Sequence, residues 1–527
     1  STRTLSEWND IQLNASLFDV NADKAKLTVS GACYVKFTQR VNGSLTTLPN
    51  GEFSWNDVNK GGVHYELTGD LLAAAIKGNI YVWVGGGSPI NLIVTSFGQG
   101  GTPEGEIGSG NESIDTSDIF DPVTRAYIIA KRMQLTENPT VYLTIPDAEG
   151  KDINTVLFKD RATNTAEYHK ATIQVVDGSE DGLESFTDQV EIKVRGNSTA
   201  DMVKRPYRLK FPKDEKNEAG KTIVNHKHDM IGNGYKKRNW TMLANYVDPS
   251  LARNALAYHI GQIVGLPFCP GYKFADVVIN NEYRGIYQLS DHIEVGKNRI
   301  NVNEDTGWYV EISRGDMIEE PSLFAGMLPM SIKNPEPQTA AETAALKAEV
   351  SAWFTEAQNV FFSNDRARFL DPETGWRAYF DEDSFVDYYV AINLTGDYDG
   401  FMTVKMYRET AQNGKMKLGP LWDKDLAYGN FSADNGTTLV EDMNNGQFDH
   451  YVKKVTSDPG FMQKVYDKVH ALESEGLSDQ IQDYIDEILS IIGRSEELNQ
   501  TRWPGHTSWI YNFGTYSDAV QQLKDYE

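Results

Sequence analysis

Two short aspartate motifs are the places where this chain could bind a metal ion or accept a proton. The first reads Asp397-Tyr-Asp399-Gly, and the second, which contains Asp423-Lys-Asp425, follows further along the chain. An Asp-x-Asp spacing at a turn or strand end directs two carboxylates to one side, and such hard oxygen ligands suit Mg²⁺ or Ca²⁺. Because aspartates also cap turns and helices, the motifs predict either a metal site or a set of capped turns.

A basic strand offers a second kind of chemistry, the binding of an anion. Arg195-Gly-Asn197-Ser reads as a short turn, and the strand after it carries Arg208 and Lys210 at alternate positions. Backbone N–H groups of such a turn can surround an anion, and alternate strand residues share one face. In a chain of net charge −25, this local excess of cations predicts a phosphate site. The alternative is a solvated strand face that is paired with nearby acids.

The order of these groups favours phosphoryl transfer. Two predicted strands, 403–408 and 416–422, separate the aspartate motifs, and a hairpin of these strands would bring the second motif beside the first. A base carboxylate, two strands and then a metal-binding carboxylate is the layout that kinases use at their phosphate site.

The elements that must position these groups divide the chain into three segments. Residues 1–97 read as short alternating strands separated by Asn-Gly turns, which predicts a small all-β sandwich of immunoglobulin-like size, either a surface- or carbohydrate-binding module or a spacer. Residues 98–117 are rich in Gly, Ser and acidic side chains and predict a flexible linker. Residues 118–335 are rich in predicted strands and 336–527 in predicted helices, an α+β layout.

Composition excludes several classes of function. A net charge of −25 and a pI near 4.8 argue against nucleic acid or anionic membrane as a partner. The chain contains no run of 18 apolar residues, so the sequence predicts no transmembrane segment. Two cysteines, Cys33 and Cys269, cannot build a Cys-based metal site, and His226-Lys-His228 is expected to be a surface loop. No nucleophile elbow of an esterase and no Walker-type loop is present.

Five ordered motifs in this chain resemble those of the CotH (spore coat protein H) kinase-like family. The resemblance spans about 135 to 515 and does not reach the N-terminal segment. Its motifs are Arg195-Gly-Asn-Ser with Lys204-Arg-Pro-Tyr-Arg-Leu-Lys-Phe, Trp240 to Asn254, Val278 to Val295, Asp399-Gly, and Gly419-Pro-Leu-Trp-Asp423-Lys-Asp425-Leu-Ala-Tyr-Gly-Asn430.

The resemblance implies an atypical protein-kinase fold that transfers phosphate from ATP to a protein acceptor. It implies that Asp399 is the catalytic carboxylate that orients the acceptor hydroxyl. The metal, Mg²⁺ or else Mn²⁺ or Ca²⁺, would be held by Asp423, with Asp425 beside it and Asp397 as a further carboxylate.

The same resemblance implies a set of nucleotide-binding residues. Arg208 or Lys210 would touch the phosphates, and Asp291, where the family usually has Glu, would pair with that cation. Arg253 begins a helix that should face the site. The full set expected to bind the cofactor is Arg195, Asn197, Arg208, Lys210, Asp291 and Arg253.

Thr403 marks a departure from the kinase pattern that keeps a second function open. Kinases place an Asn after the catalytic Asp to hold a second metal, whereas this chain has Phe401-Met-Thr403-Val. The alternative is a catalytically inactive structural or surface-binding protein, associated with a coat, an adhesion surface or a polysaccharide. The resemblance implies an extracellular or cell-surface location, although no signal peptide is visible, and a surface glycan is a possible partner of residues 1–97.

Overall fold

The computed structural model describes most of the chain in two compact units, Ser1–Lys131 and Arg132–Glu527. The described residues are 10–13, 24–30, 34–41, 44–53, 63–77, 79–85, 91–97, 119–179, 182–217, 221–410, 414–431, 436–443, 446–504 and 513–526. The predicted linker, 98–117, lies outside them and stays a prediction.

The first unit contains two antiparallel sheets. One has four strands in the order β1-β6-β3-β4 and the other three in the order β5-β2-β7. Helix α1, which was not predicted, follows β5, and α2 ends the unit. Their bounds are β1 Asp10–Gln12, β2 Lys24–Ser30, β3 Tyr34–Val41, β4 Ser44–Phe53, β5 Val63–Thr68, α1 Gly69–Ile76, β6 Ile80–Gly85, β7 Asn91–Phe97 and α2 Pro122–Ala130.

Alternating apolar residues explain how these strands make a core. Leu27 and Val29 on β2, and Val35 and Phe37 on β3, are all fully buried because residues two apart on a strand share a face. Both sheets and α1 contribute to one apolar cluster. The small antiparallel N-terminal region is thus confirmed, while its immunoglobulin-like topology stays a prediction.

The second unit begins with a closed barrel of seven strands. Neighbours follow the order β10-β11-β14-β16-β15-β8-β9, and all pairs are antiparallel except β15 with β8. The bounds are β8 Thr140–Thr144, β9 His169–Val176, β10 Phe186–Val194, β11 Tyr207–Lys210, β14 Asn239–Leu243, β15 Tyr272–Ile279 and β16 Glu282–Asp291; the hairpin β12 Glu215–Lys216 with β13 Thr222–Val224 and the short helix α3 Ile153–Val156 are attached to it.

A five-stranded sheet and a set of helices complete the unit. The sheet has the order β18-β19-β17-β20-β21. Its strands are β17 Trp308–Ile312, β18 Ser322–Ala325, β19 Leu328–Asn334, β20 Val404–Arg408 and β21 Lys417–Leu418. The helices are α4 Arg253–Val264, α5 Ala340–Phe361, α6 Arg366–Leu370, α7 Glu382–Thr395, α8 Val440–Met443, α9 Asp449–Val455, α10 Pro459–Ser474, α11 Leu477–Ile492, α12 Arg494–Arg502 and α13 Tyr516–Tyr526.

Most predicted elements of this unit are present. Helix α4 ends where Gly265 adopts a left-handed conformation, with φ +96°, as expected of a C-cap. Strands β15 and β16 form a hairpin that turns through Asn280 and Asn281. The predicted strand 416–422 was too long, because only Lys417 and Leu418 pair with β20. The mixed α+β class is confirmed.

No helix in the described part of the chain combines the length and the apolar character that crossing a bilayer requires.

Candidate active site

The first aspartate motif follows directly from the end of helix α7. Gly396 takes a left-handed conformation with φ +50° and ends the helix, and the chain then turns so that the Gly400 N–H donates to the Asp397 carbonyl at 2.8 Å. The Asp399 N–H lies 3.3 Å from Asp397 Oδ1. Asp397 therefore shapes the turn that presents Asp399.

Asp397 is held by a cation from the second motif. Its carboxylate, which is fully buried, accepts a hydrogen bond from the ammonium of Lys424, which is also buried. Burial works to lower the pKa of Lys424, but the negative charge of Asp397 outweighs it and the pKa is raised. The sequence placed Asp397 among the metal ligands, whereas the structure gives it a structural partner in the protein.

The second motif is fixed by two buried amides. Asn254 Oδ1, at the start of α4, accepts from the Lys424 N–H at 2.7 Å. Asn430 Nδ2 donates to the Asp425 carbonyl at 2.6 Å. Between them Asp423 adopts φ +58° and keeps an exposed side chain. A left-handed conformation is uncommon outside glycine, so the amides hold a turn that directs this carboxylate outward.

The carboxylates of the two motifs repel one another. Burial, followed by the charge of Asp397, raises the pKa of Asp399 to about 6, with Asp423 adding a smaller effect. Burial and then the charges of Asp423 and Asp248 raise the pKa of Asp425. Close carboxylates of this kind are stabilised by a divalent cation.

Cations approach this carboxylate group around Trp422, the residue before Asp423. The Arg195 guanidinium lies 4.4 Å from the ring centroid, and the Lys405 ammonium lies 5.7 Å from it. The pKa of the His292 imidazole is lowered by burial and then by the charges of Arg208, Arg299, Arg195 and Lys405. We call Arg195, Arg208 and Lys405, together with the His292 imidazole that lies among their charges, the cation cluster.

Two buried nitrogens of the cation cluster have no hydrogen-bond partner among the described residues. They are Arg208 Nε and His292 Nδ1. A buried polar group without a partner is costly, and the Arg208 Nε–H, a charged donor, is most readily satisfied by an anion. The cluster is therefore chemically suited to phosphate oxygens.

Lys405 and Glu311 are site residues that sequence reasoning missed. They face each other on β20 and β17, and the ammonium of Lys405 donates to the Glu311 carboxylate. Burial would raise the pKa of Glu311, but Lys405 and then Lys333 lower it to about 2. Lys405 stands between the core residues Val404 and Met406, and a charge within an apolar strand is the signal that could have found it.

Asn197 and Lys210 lie on the same basic side but have partners of their own. Asn197 Oδ1 accepts from Lys159 Nζ at 2.9 Å. The Lys210 ammonium lies 5.4 Å from the ring centroid of Tyr168, which Lys193 also approaches at 4.7 Å. These residues extend the basic face rather than joining the cation cluster at Trp422.

Asp291 and Arg253, both expected to bind the cofactor, are instead bound inside the protein. Asp291 accepts from Arg299 Nε at 2.9 Å and from Tyr235 OH at 2.6 Å, so its cation is neither Arg208 nor Lys210. Arg253 is fully buried and pairs with Asp248. The helix start does face the site, but through Asn254 rather than through Arg253.

The donor set fits a metal ion that arrives with a phosphate ligand. Among the described residues, no group of three or more His, Cys, Asp or Glu side chains could hold a metal ion. Mg²⁺ usually takes one or two protein carboxylates and completes its shell with water and phosphate oxygens. Asp423, with Asp425 beside it, supplies such a pair.

The second unit is a mixed α+β domain in which a seven-stranded barrel is followed by a second sheet and helices, and its paired carboxylates lie beside the cation cluster. A family model described as CotH kinase protein matches residues 192–527, and the chain belongs to this family. A kinase family implies the use of ATP. The match begins inside β10, later than the expected 135, although β8 and β9 complete the same barrel. No curated protein matches the chain.

Proposed function

We propose that this protein transfers the γ-phosphate of ATP to a hydroxyl group of a protein acceptor in a metal-dependent reaction. The observation that carries the proposal is the meeting of carboxylates and cations at Trp422. Asp423 follows this residue in the chain, while Arg195 and Lys405 approach its ring. A polyanionic nucleotide with a divalent metal requires both kinds of group within a few ångströms.

Asp399 is the residue that takes up the proton of the acceptor hydroxyl group. Its pKa of about 6 leaves it ionised at neutral pH and still basic enough to accept a proton. The acceptor oxygen forms a bond to the γ-phosphorus, the bond to the ADP oxygen breaks, and the hydroxyl proton passes to Asp399. Arg195 and Arg208 orient the phosphates, and Mg²⁺ on Asp423 and Asp425 would neutralise charge on the transferred group.

ATP calorimetry with and without Mg²⁺ or Mn²⁺ tests the proposal on wild type, Asp423→Ala and Asp399→Asn. We expect metal-dependent binding, a loss of about 10–100-fold in affinity for Asp423→Ala, and near-normal binding for Asp399→Asn. Phosphate transfer by Asp399→Asn should fall by about 10²–10⁴-fold. Asp479→Ala, which removes an exposed carboxylate on α11, is the matched control. No ATP binding by folded wild type in either metal would reject the proposal.

The second candidate is a catalytically inactive structural or surface-binding protein that keeps the fold. The segment Phe401-Met-Thr403-Val404, which lacks the metal-binding Asn that kinases carry shortly after the catalytic Asp, is the observation that favours it. An extracellular or cell-surface location, and a glycan partner for residues 1–97, belong to this proposal as well. A glycan array with the full chain separates the two: binding to a polysaccharide without ATP binding would support the second candidate.

A further inference from the structure

Lys405 lies on the face of the five-stranded sheet that is directed toward the candidate site. On β20, Val404 and Met406 point into the main apolar core, so Lys405 between them points to the opposite face. The residue is 4% exposed, and its ammonium is 5.7 Å from the Trp422 ring centroid. Trp422 precedes Asp423, the residue assigned above to the metal.

The position of this ammonium is fixed by a carboxylate. Glu311 lies directly across the ladder on β17 and accepts from Lys405 Nζ. Glu311 is the one hydrogen-bond acceptor of the ammonium that the described residues provide, and an ammonium carries three donors. Two N–H groups of Lys405 therefore remain for an incoming oxygen.

Thr403, two residues earlier, lies in the segment Phe401-Met-Thr403-Val404, which carries no Asn, whereas kinases of the two-metal kind have an Asn shortly after the catalytic Asp that binds a second ion. A threonine hydroxyl is a weaker ligand for Mg²⁺ than an amide or carboxylate oxygen. The charge that a second ion would supply has to come from another group, because the charge of the transferred phosphoryl still requires neutralisation.

We propose that the Lys405 ammonium takes the place of the second metal ion, so that the protein binds ATP with a single divalent cation. This inference rests on the proposed function. Lys405, held by Glu311, would donate to phosphate oxygens on the side away from Asp423. A second divalent ion beside Lys405 and Arg195 would be repelled by both.

The number of bound Mn²⁺ ions, measured by electron paramagnetic resonance with a non-hydrolysable ATP analogue, tests the proposal on wild-type protein. We expect one tightly bound Mn²⁺ for each bound nucleotide. Two ions would overturn the inference and leave the proposed function standing. Absence of any nucleotide binding would overturn both, so the two failures are distinguishable.

Thr403→Asn provides a test that leaves the Lys405–Glu311 pair intact. With Lys405 in place, an amide introduced at position 403 should keep the Mn²⁺ count at one, since the ammonium still repels a second ion. A count of two in Thr403→Asn would mean that the missing amide, not Lys405, sets the number of metals, and would overturn the inference.

The variants Lys405→Arg and Lys405→Met test whether the charge of the ammonium is what matters. Lys405→Arg keeps the charge and should retain one Mn²⁺ and most of the affinity for the analogue. Lys405→Met, checked for folding by circular dichroism, should lose about tenfold or more in affinity, and Lys405→Met combined with Thr403→Asn should admit a second Mn²⁺. If Lys405→Met folds and binds with unchanged affinity, the ammonium does not contact the phosphates and the inference fails.

Discussion

The Lys424 ammonium and the Asp397 carboxylate form an ion pair in which both side chains are buried. The two residues are 27 positions apart, and each lies within one of the two aspartate motifs. Because Lys424 stands between Asp423 and Asp425, the pair joins the turn of the metal-binding carboxylates to the turn that presents Asp399. The relative position of the proton acceptor and the metal ligands depends on this contact.

Removal of one partner of this pair should strongly destabilise the fold. Lys424→Met leaves the Asp397 carboxylate buried without a counterion, and loss of one member of a buried pair costs about 3–5 kcal/mol. Urea unfolding of the variant measures this cost. The double variant Lys424→Met with Asp397→Leu should recover much of the loss, because it removes both charges. A double variant no more stable than the single one would contradict the account.

Asn254 should control nucleotide affinity without touching the nucleotide. Its side chain accepts from the Lys424 backbone N–H at 2.7 Å, so Asn254→Ala leaves that buried donor unsatisfied, at about 1–3 kcal/mol. It also frees the turn that carries Asp423, and affinity for Mg²⁺-ATP should fall by roughly tenfold.

Asn138→Ala is the matched control for Asn254→Ala. The Asn138 amide is also buried and donates to the Ile491 carbonyl at 2.8 Å, but it lies outside the site residues described above. It should lower stability by a similar amount and leave affinity for Mg²⁺-ATP unchanged. Equal affinities in the two variants would show that the Asn254 contact does not position Asp423.

The helices near the site were predictable because their signals are local. Asp381 accepts from the Ser384 N–H at 2.9 Å and begins α7, and Gly265 ends α4, both of which follow from residue type and spacing. The aspartate and arginine motifs were predictable for the same reason. Closure of the barrel was not, because it depends on the parallel pairing of β15 with β8 across more than a hundred residues.

The ion-pair partners of buried charged residues could not be predicted from the sequence either. The Arg299 partner of Asp291 and the Glu311 partner of Lys405 are set by strand register and by loops that return to the sheet. A motif identifies that a residue is charged, but the fold decides whether its charge is used inside the protein or at the site. Arg253 and Asp291 were therefore assigned to the cofactor, and Lys405 was passed over.

Arg253→Met tests whether this arginine is structural. Its guanidinium is fully buried against Asp248, so the substitution should cost about 3–5 kcal/mol in the free energy of unfolding. The protein that remains folded should bind ATP with wild-type affinity, as measured by calorimetry at a temperature well below the transition. A stable variant with weakened ATP binding would show that Arg253 contributes to nucleotide binding, as the sequence predicted.

Asp449, at the first position of α9, should make the fold less stable as pH rises. It is 4% exposed, and burial, with a smaller contribution from Glu441, raises its pKa to about 6 from 3.8. The folded state thus holds a proton that the unfolded state releases near pH 4, and this stability is lost as pH rises through about 6. Asp449→Asn keeps an oxygen that can accept from the Gly446 N–H and removes the charge.

The melting temperature of Asp449→Asn, compared with wild type across pH, checks this directly. We expect an increase of roughly 2–4 °C at pH 7.5, corresponding to about 2–3 kcal/mol for a shift of about two pKa units in a unit of this size, that shrinks between pH 6 and 4 because wild-type Asp449 then becomes neutral as well. Asp479→Asn, an exposed carboxylate on α11, should show no such pH-dependent difference. A gain that is constant from pH 4 to 7.5 would mean that the amide stabilises the helix start for a reason other than charge, because only the loss of a buried negative charge produces a benefit that disappears on protonation.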